Sequence, residues 1–268
     1  MKLLPLFVSG LALSAAATAA LLLLAEPSLD PSQLPETVTI SPGPGNYRVA
    51  GQFVFDNRVV DAPMHTYDAA AIEIMKYQVS GAQYGRCVAE GACQAPLHAA
   101  DEATAQTGVS FVDAQAYAQW LSRRSGQTWR LPTDQEWSRA AAERFHDDAL
   151  GIDINEKDPS ARWLQAYENQ SGRRSDKELR ELGGFGENQY GLADMSGNIW
   201  EWTTSCYQRG RLGADGYTIQ STSENCGVKV AQGKHRAYIV DFVRDANVGG
   251  CAVGLPPDYL GFRLVREG

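Results

Sequence analysis

The chain reads as a single loop-rich α+β domain, and three observations carry that reading. Three helix-opening signals fall between residues 80 and 145, irregular β-type sequence follows after residue 190, and 26 glycines are spread over 268 residues. Helices early and β structure late is the order of an α+β domain rather than of alternating βα units. Glycine at this frequency supplies tight turns, because it takes positive φ without a steric cost.

Each element follows in chain order. Met1 and Lys2 precede an apolar run from Leu3 to Ala25, which has the form of an export signal. Ala17-Thr18-Ala19 offers a cleavage site, yet Leu21 to Leu24 extend the run to about the ~20 residues that span a bilayer. Residues 1–25 therefore read as a cleaved signal or as an uncleaved membrane anchor. Five prolines between Glu26 and Pro44 mark residues 26–46 as a linker, which leaves 47–268 as the folded domain. Tyr47 to Phe55 and Ala69 to Met75 read as strands. Ser80 with Gln83 has capping-box spacing and opens a helix that stops near Gly91. Ser110 with Asp113 opens a second, with Phe111, Ala114, Tyr117 and Leu121 at helical spacing and a stop at Gly126. Thr133 with Glu136 opens a third, running to about Phe145. Residues 147–187 are polar and read as a solvated loop or short helix. From Tyr190 the expectation is turns and short strands, including Ala237 to Val243 and a closing strand from Gly261 to Val265.

Composition sets limits on function. Hydrophobic residues make up 44% and charged residues 21%, with a net charge of −8 and no Lys/Arg block. Those values describe a soluble globular domain and exclude a phosphate-backbone partner, so no nucleic acid is expected. The five cysteines are Cys87, Cys93, Cys206, Cys226 and Cys251. In an oxidising compartment disulfides are expected, with a small loop closing between Cys87 and Cys93. The other three leave one thiol over, and a Cys226–Cys251 pair is one way for them to meet. With only four histidines, at positions 65, 98, 146 and 235, and no pair at helical metal spacing, a three-histidine catalytic centre is not expected.

Three blocks carry a resemblance. WRLPTDQEWSRAAAE runs from Trp129 to Glu143, YGLADMSGNIWEWT from Tyr190 to Thr203, and GFRLVR from Gly261 to Arg266. In this order and spacing they resemble the formylglycine-generating-enzyme-like, or sulfatase-modifying-factor, family, whose fold is an irregular variant of the C-type-lectin fold. FVDAQAYAQWLSRRSG and IEIMKYQVSGAQY fit the same pattern. The aromatics also make sense without the family. Trp200 and Trp202 share one side of an extended segment, and aromatics of this size bury ~150–250 Å² each. The resemblance implies a structural calcium ion held by the Asp194 and Glu201 side chains and the Gly197 and Ile199 carbonyls. Oxygen donors across a glycine turn suit a hard cation. The alternative is a metal-free turn with hydrogen-bonded carboxylates.

Formylglycine-generating enzymes bind Cu(I) through two cysteines that follow an arginine-glycine-glycine-serine turn. Here the matching stretch, His235 to Arg244, holds no cysteine. The remaining candidates near that place are His235, Arg236, Asp241, Arg244 and Cys251. Salt bridges of Arg236 and Arg244 with Asp241 or Asp245 are the structural alternative. A relocated copper or iron site around Cys226, Cys251 and His235 would make the chain a metal-dependent oxidative modifying enzyme acting on a protein or peptide. The C-terminal stretch from Ser223 to Glu267 resembles the NirV-like exported accessory proteins encoded beside copper nitrite reductase. That resemblance implies an accessory or maturation factor in a periplasm, with a protein or peptide partner, copper nitrite reductase among them. Membrane contact would come only through an uncleaved N-terminal segment.

Overall fold

The computed structural model describes residues 28–151, 158–171, 179–248, 251–253 and 259–268. The expected export segment lies outside them. No described helix is long and apolar enough to cross a membrane.

The strands are β1 (Thr37–Ile40), β2 (Gly43–Arg48), β3 (Gly51–Phe55), β4 (Arg58–Val60), β5 (Met64–Ala69), β6 (Ile72–Met75), β7 (Trp129–Arg130), β8 (Trp200–Leu212), β9 (Ile219–Gln232), β10 (Arg236–Val240), β11 (Cys251–Val253), β12 (Leu260–Gly261) and β13 (Val265–Arg266). The helices are α1 (Gly81–Ala89), α2 (Phe111–Ser125), α3 (Asp134–Ala141) and α4 (Pro159–Ser171). One sheet has the order β1-β6-β13-β7, a second β11-β10-β9-β8-β3-β4 with β12 alongside β8, and β2 pairs with β5. Few helices, curled mixed sheets and long connections make this the loop-rich α+β architecture expected.

The three capping boxes form. Ser80, Ser110 and Thr133 each accept from the backbone N–H three residues on, and Gln83, Asp113 and Glu136 accept in return. Each box satisfies two N-terminal donors that the helix itself leaves open. Gly126 ends α2 at φ 69°, a left-handed turn that glycine takes without a Cβ penalty. The third helix is shorter than its pattern suggests. It stops at Ala141, and Ala142 turns to φ 52°. The Asn188 amide donates to the carbonyls of Ala140 and Ala141 at 2.7 and 3.3 Å, so the helix ends on a side chain from a distant loop.

Three sequence expectations are corrected. Residues 28–46 are not a linker. Leu29 and Ile40 are buried, and β1 pairs with β6 along its full length; no proline lies within β1, and Pro31 instead opens a short 3-10 turn capped by Asp30. The single strand expected from Tyr47 to Phe55 is two, β2 and β3, in different sheets. After Tyr190 the strands are not all short, since β8 and β9 have 13 and 14 residues. In β9 the outer half is exposed from Gln220 to Gly227, so no apolar alternation announces it.

The core is aromatic. Tyr117 stacks on Tyr84 at 5.8 Å and meets Phe262 edge-on at 5.4 Å. Trp202 packs against Phe111 and donates its indole N–H to the Val109 carbonyl at 2.9 Å. Burying each indole with its N–H satisfied avoids the cost of a stranded donor.

Candidate functional site

Glu201 is where the three sequence blocks converge. It lies on β8 and is fully buried. Its Oε2 accepts from Arg263 Nε at 2.6 Å and Trp137 Nε1 at 2.8 Å. Its Oε1 accepts from Arg263 Nη2 and Gln78 Nε2, both at 2.8 Å. A carboxylate has about four lone-pair sites, and all are taken. Arg263 is also buried and places all five N–H groups, with the carbonyls of Met75, Lys76 and Ala193 completing the set. A buried charge pair persists only when geometry and hydrogen bonding are this complete.

That arrangement does not fit the expected calcium site. The Gly197 carbonyl already accepts from Ile199 N at 2.8 Å and from Gln78 Nε2 at 3.4 Å. Both Asp194 oxygens accept backbone N–H groups, from Gly183 at 2.6 Å and Phe185 at 2.9 Å. The guanidinium of Arg263 sits on Glu201, where a cation would have to bind. Asp194, Ser196 and Asn198 adopt left-handed φ of 60°, 55° and 63°; the Ser196 hydroxyl donates to the Arg144 carbonyl at 2.6 Å and Asn198 Nδ2 to the Arg180 carbonyl at 3.3 Å.

A second polar cluster forms where the resemblance places the reactive stretch. Arg236, at the start of β10, has its side chain 1% exposed. It pairs with Asp134 at 3.0 Å and Asp148 at 2.5 Å, and its Nη2 also donates to the Arg48 carbonyl at 3.1 Å. Tyr47 donates to Asp134 at 2.6 Å, Gln232 caps the other Asp134 oxygen, and Tyr238 donates to Asp148 at 3.1 Å. Burial works against the Arg236 charge, but the two carboxylates outweigh it and keep the guanidinium protonated. Burial raises the Asp148 carboxyl; the Arg236 charge and the hydrogen bonds from Arg236 and Tyr238 outweigh it, leaving Asp148 below the usual carboxylate range. Burial, reinforced by the neighbouring carboxylates, pushes both phenols up. Both tyrosines are therefore donors at any physiological pH.

The candidate catalytic residues do not form one centre. His235 is buried edge-on against Trp200, with ring centroids 5.3 Å apart, and Trp200 Nε1 donates to the His235 carbonyl at 3.0 Å. Arg244 pairs with Asp113 at 2.7 Å and reaches Gln94 and Ala95, tying the chain after β10 to the cap of α2. Neither Arg236 nor Arg244 is paired with Asp241 or Asp245 among the described contacts. Asp241 engages through its backbone, accepting from Phe111 N and donating to Gly227 O. The backbone of Cys251 lies opposite Ile239 on β11. Cys87 bonds to Cys93, as expected. Cys226 bonds to Cys206, which removes both the Cys226–Cys251 pair and a metal site built on Cys226, Cys251 and His235.

Asp134, Asp148, Tyr47, Tyr238 and Gln232 were not among the sequence candidates. Asp134 was visible only as the residue after a cap, and Asp148 only as one charge in a polar stretch. A cleft of about 210 Å³ opens beside this cluster, lined by Tyr47, Thr133, Gln135, Ser205, Cys206 and Gln208. Small-molecule pockets are usually ~300–1,000 Å³, and this cleft lies below that range.

Comparison with known proteins agrees with the geometry. A family model described as a sulfatase-modifying factor enzyme 1-like domain matches residues 24–268. The formylglycine-generating enzyme of Mycobacterium tuberculosis is 35% identical over 103 residues, 36% of this chain and 32% of its own length. The inactive C-alpha-formylglycine-generating enzyme 2 of Mus musculus is 32% identical over 165 residues, 59% of this chain and 48% of its own. The matches thus span 32% and 48% of these relatives' own lengths, less than half of each. The solved structure of PvdO from Pseudomonas aeruginosa superposes with a TM-score of 0.56 at 19% identity, covering 91% of this chain and 99% of that one, and shares the fold. The chain belongs to the formylglycine-generating-enzyme-like, sulfatase-modifying-factor family.

Proposed function

We propose that the chain is an exported accessory factor that binds a polypeptide partner and does not itself generate formylglycine. One observation carries this: His235 to Arg244, the stretch that matches the copper-binding segment of formylglycine-generating enzymes, has no cysteine. Soft thiolates are the ligands Cu(I) requires. In their place stand Arg236 and Tyr238, buried and committed to Asp134 and Asp148. The partner surface includes α4, where Trp163 and Tyr167 stack at 5.8 Å while 66% and 54% exposed. Large exposed aromatics of this kind anchor protein interfaces. Arg162 fixes α4 to the body through Asp61 at 2.9 Å.

The C-terminal resemblance to NirV-like proteins makes copper nitrite reductase the partner to test, in a periplasm reached through the N-terminal segment. The experiment captures the reductase on the immobilised exported chain. Retention is expected, weakened roughly tenfold or more (about 1.4 kcal/mol) by the double substitution W163A/Y167A. No retention by the unaltered chain contradicts the reading for this partner.

A further inference from the structure

We propose that the Cys206–Cys226 bridge is a thiol–disulfide exchange site for cysteinyl thiols, with Lys229 stabilising the Cys206 thiolate that leaves. The site stands whether or not the chain serves a partner enzyme.

The two sulfurs differ in their surroundings. Cys226 is exposed on β9, and Cys206 is half-buried on β8 beside the small cleft. Lys229 lies directly across from Cys206 in the β8–β9 register, and its Nζ is 3.3 Å from Cys206 Sγ. Lys229 is only 9% exposed. Its other close contacts are the Thr204 carbonyl at 3.3 Å and the face of Phe111 at 4.6 Å. Among the described residues no carboxylate pairs with it directly, and Asp241 and Glu224 act on it from longer range. Burial lowers its pKa. A buried ammonium without a close counter-charge gains one when a thiolate appears at Cys206. On the other side, Glu224 Oε2 lies 4.0 Å from Cys226 Sγ, which disfavours a thiolate there. The pair is therefore polarised: Cys206 is the better leaving group, and a thiol of low pKa leaves faster.

The chemistry balances. An incoming thiolate attacks exposed Cys226 Sγ, the S–S bond breaks, and its electron pair leaves on Cys206 Sγ beside the Lys229 ammonium. A second thiolate attacks the incoming sulfur of the mixed disulfide, and Cys226 departs and takes a proton. Two external thiols are oxidised to one disulfide, and the bridge is reduced by two electrons. Stabilising the reduced form makes a disulfide the stronger oxidant. Among the described residues Cys87–Cys93 has no such arrangement, and with both cysteines buried it is an internal control.

The test equilibrates the purified full chain in reduced and oxidised glutathione, traps thiols by alkylation, and reads each cysteine by peptide mass. The Cys206–Cys226 bridge is expected to open in buffers at least tenfold less reducing than those that open Cys87–Cys93. Lys229→Met is expected to move its midpoint at least tenfold toward reducing conditions, about 30 mV for two electrons, and Lys229→Arg to leave it near the wild-type value. Equal resistance of the two bridges overturns the proposal, and so does a midpoint that K229M does not move. The comparison of bridges needs only the unaltered protein, so it decides even if K229M fails to fold. Initial rates with glutathione and with a reduced, unfolded polypeptide at equal thiol concentration identify which source of cysteinyl thiol the site prefers.

Discussion

Glu201 shows how much one buried carboxylate can organise. It neutralises Arg263, orients Trp137 and holds Gln78. Glu201→Gln leaves the guanidinium charged, buried and unpaired, so thermal or denaturant unfolding should show a loss of about 3–5 kcal/mol. Because all four acceptor positions of Glu201 serve protein donors, a chelator should leave the melting temperature of the unaltered protein unchanged; a fall on chelation would restore the calcium reading. Asp148 makes a separate prediction. Its folded pKa is depressed by Arg236 and Tyr238, so it stabilises the fold above its unfolded value of about 3.9. That contribution fades as pH falls through the lower folded value. Asp148→Asn should therefore flatten the acid end of a plot of melting temperature against pH, modestly, because the side chain is 30% exposed and solvent screens it. Glu201 stood out in the sequence as an expected calcium ligand, but its partner could not be read there, since Arg263 lies 62 residues away. Asp134 and Asp148 were hidden for the same reason: their significance comes from Arg236, 88 or more residues distant.

Local elements follow local chemistry where that chemistry is complete. The Thr133 box opens α3 and presents Asp134 to Arg236, so Thr133→Ala should cost about 1 kcal/mol in urea unfolding. The β9–β10 turn is set by packing. A Cβ on Gly233 would come within 2.7 Å of the Trp200 ring, and Gly233→Ala should cost about 1–3 kcal/mol through overpacking. A stability equal to wild type would mean that Trp200 is not held as described. The helix starts were legible because each capping box lies within four residues. The end of α3 was not, because the amide that caps it comes from Asn188. The length of β9 was hidden too, since its exposed half carries polar residues that read as loop.

At the scale of the whole molecule, the three sequence blocks are one device seen at three places in the chain. Trp137, Glu201 and Arg263 meet in the core, which explains why their spacing identified the family and the loop-rich α+β fold. The stretch that the resemblance matches to the copper-binding segment, His235 to Arg244, has no cysteine, and Arg236 within it belongs to a buried arginine–carboxylate cluster. The disulfide pairing was beyond the sequence, since any two of Cys206, Cys226 and Cys251 satisfy the same composition. The most direct test of the central claim incubates the purified chain with Cu(I), oxygen and a cysteine-containing peptide, and follows the peptide by mass spectrometry. The peptide cysteine should persist as thiol or disulfide; its conversion to a formylglycine aldehyde with turnover would contradict the account.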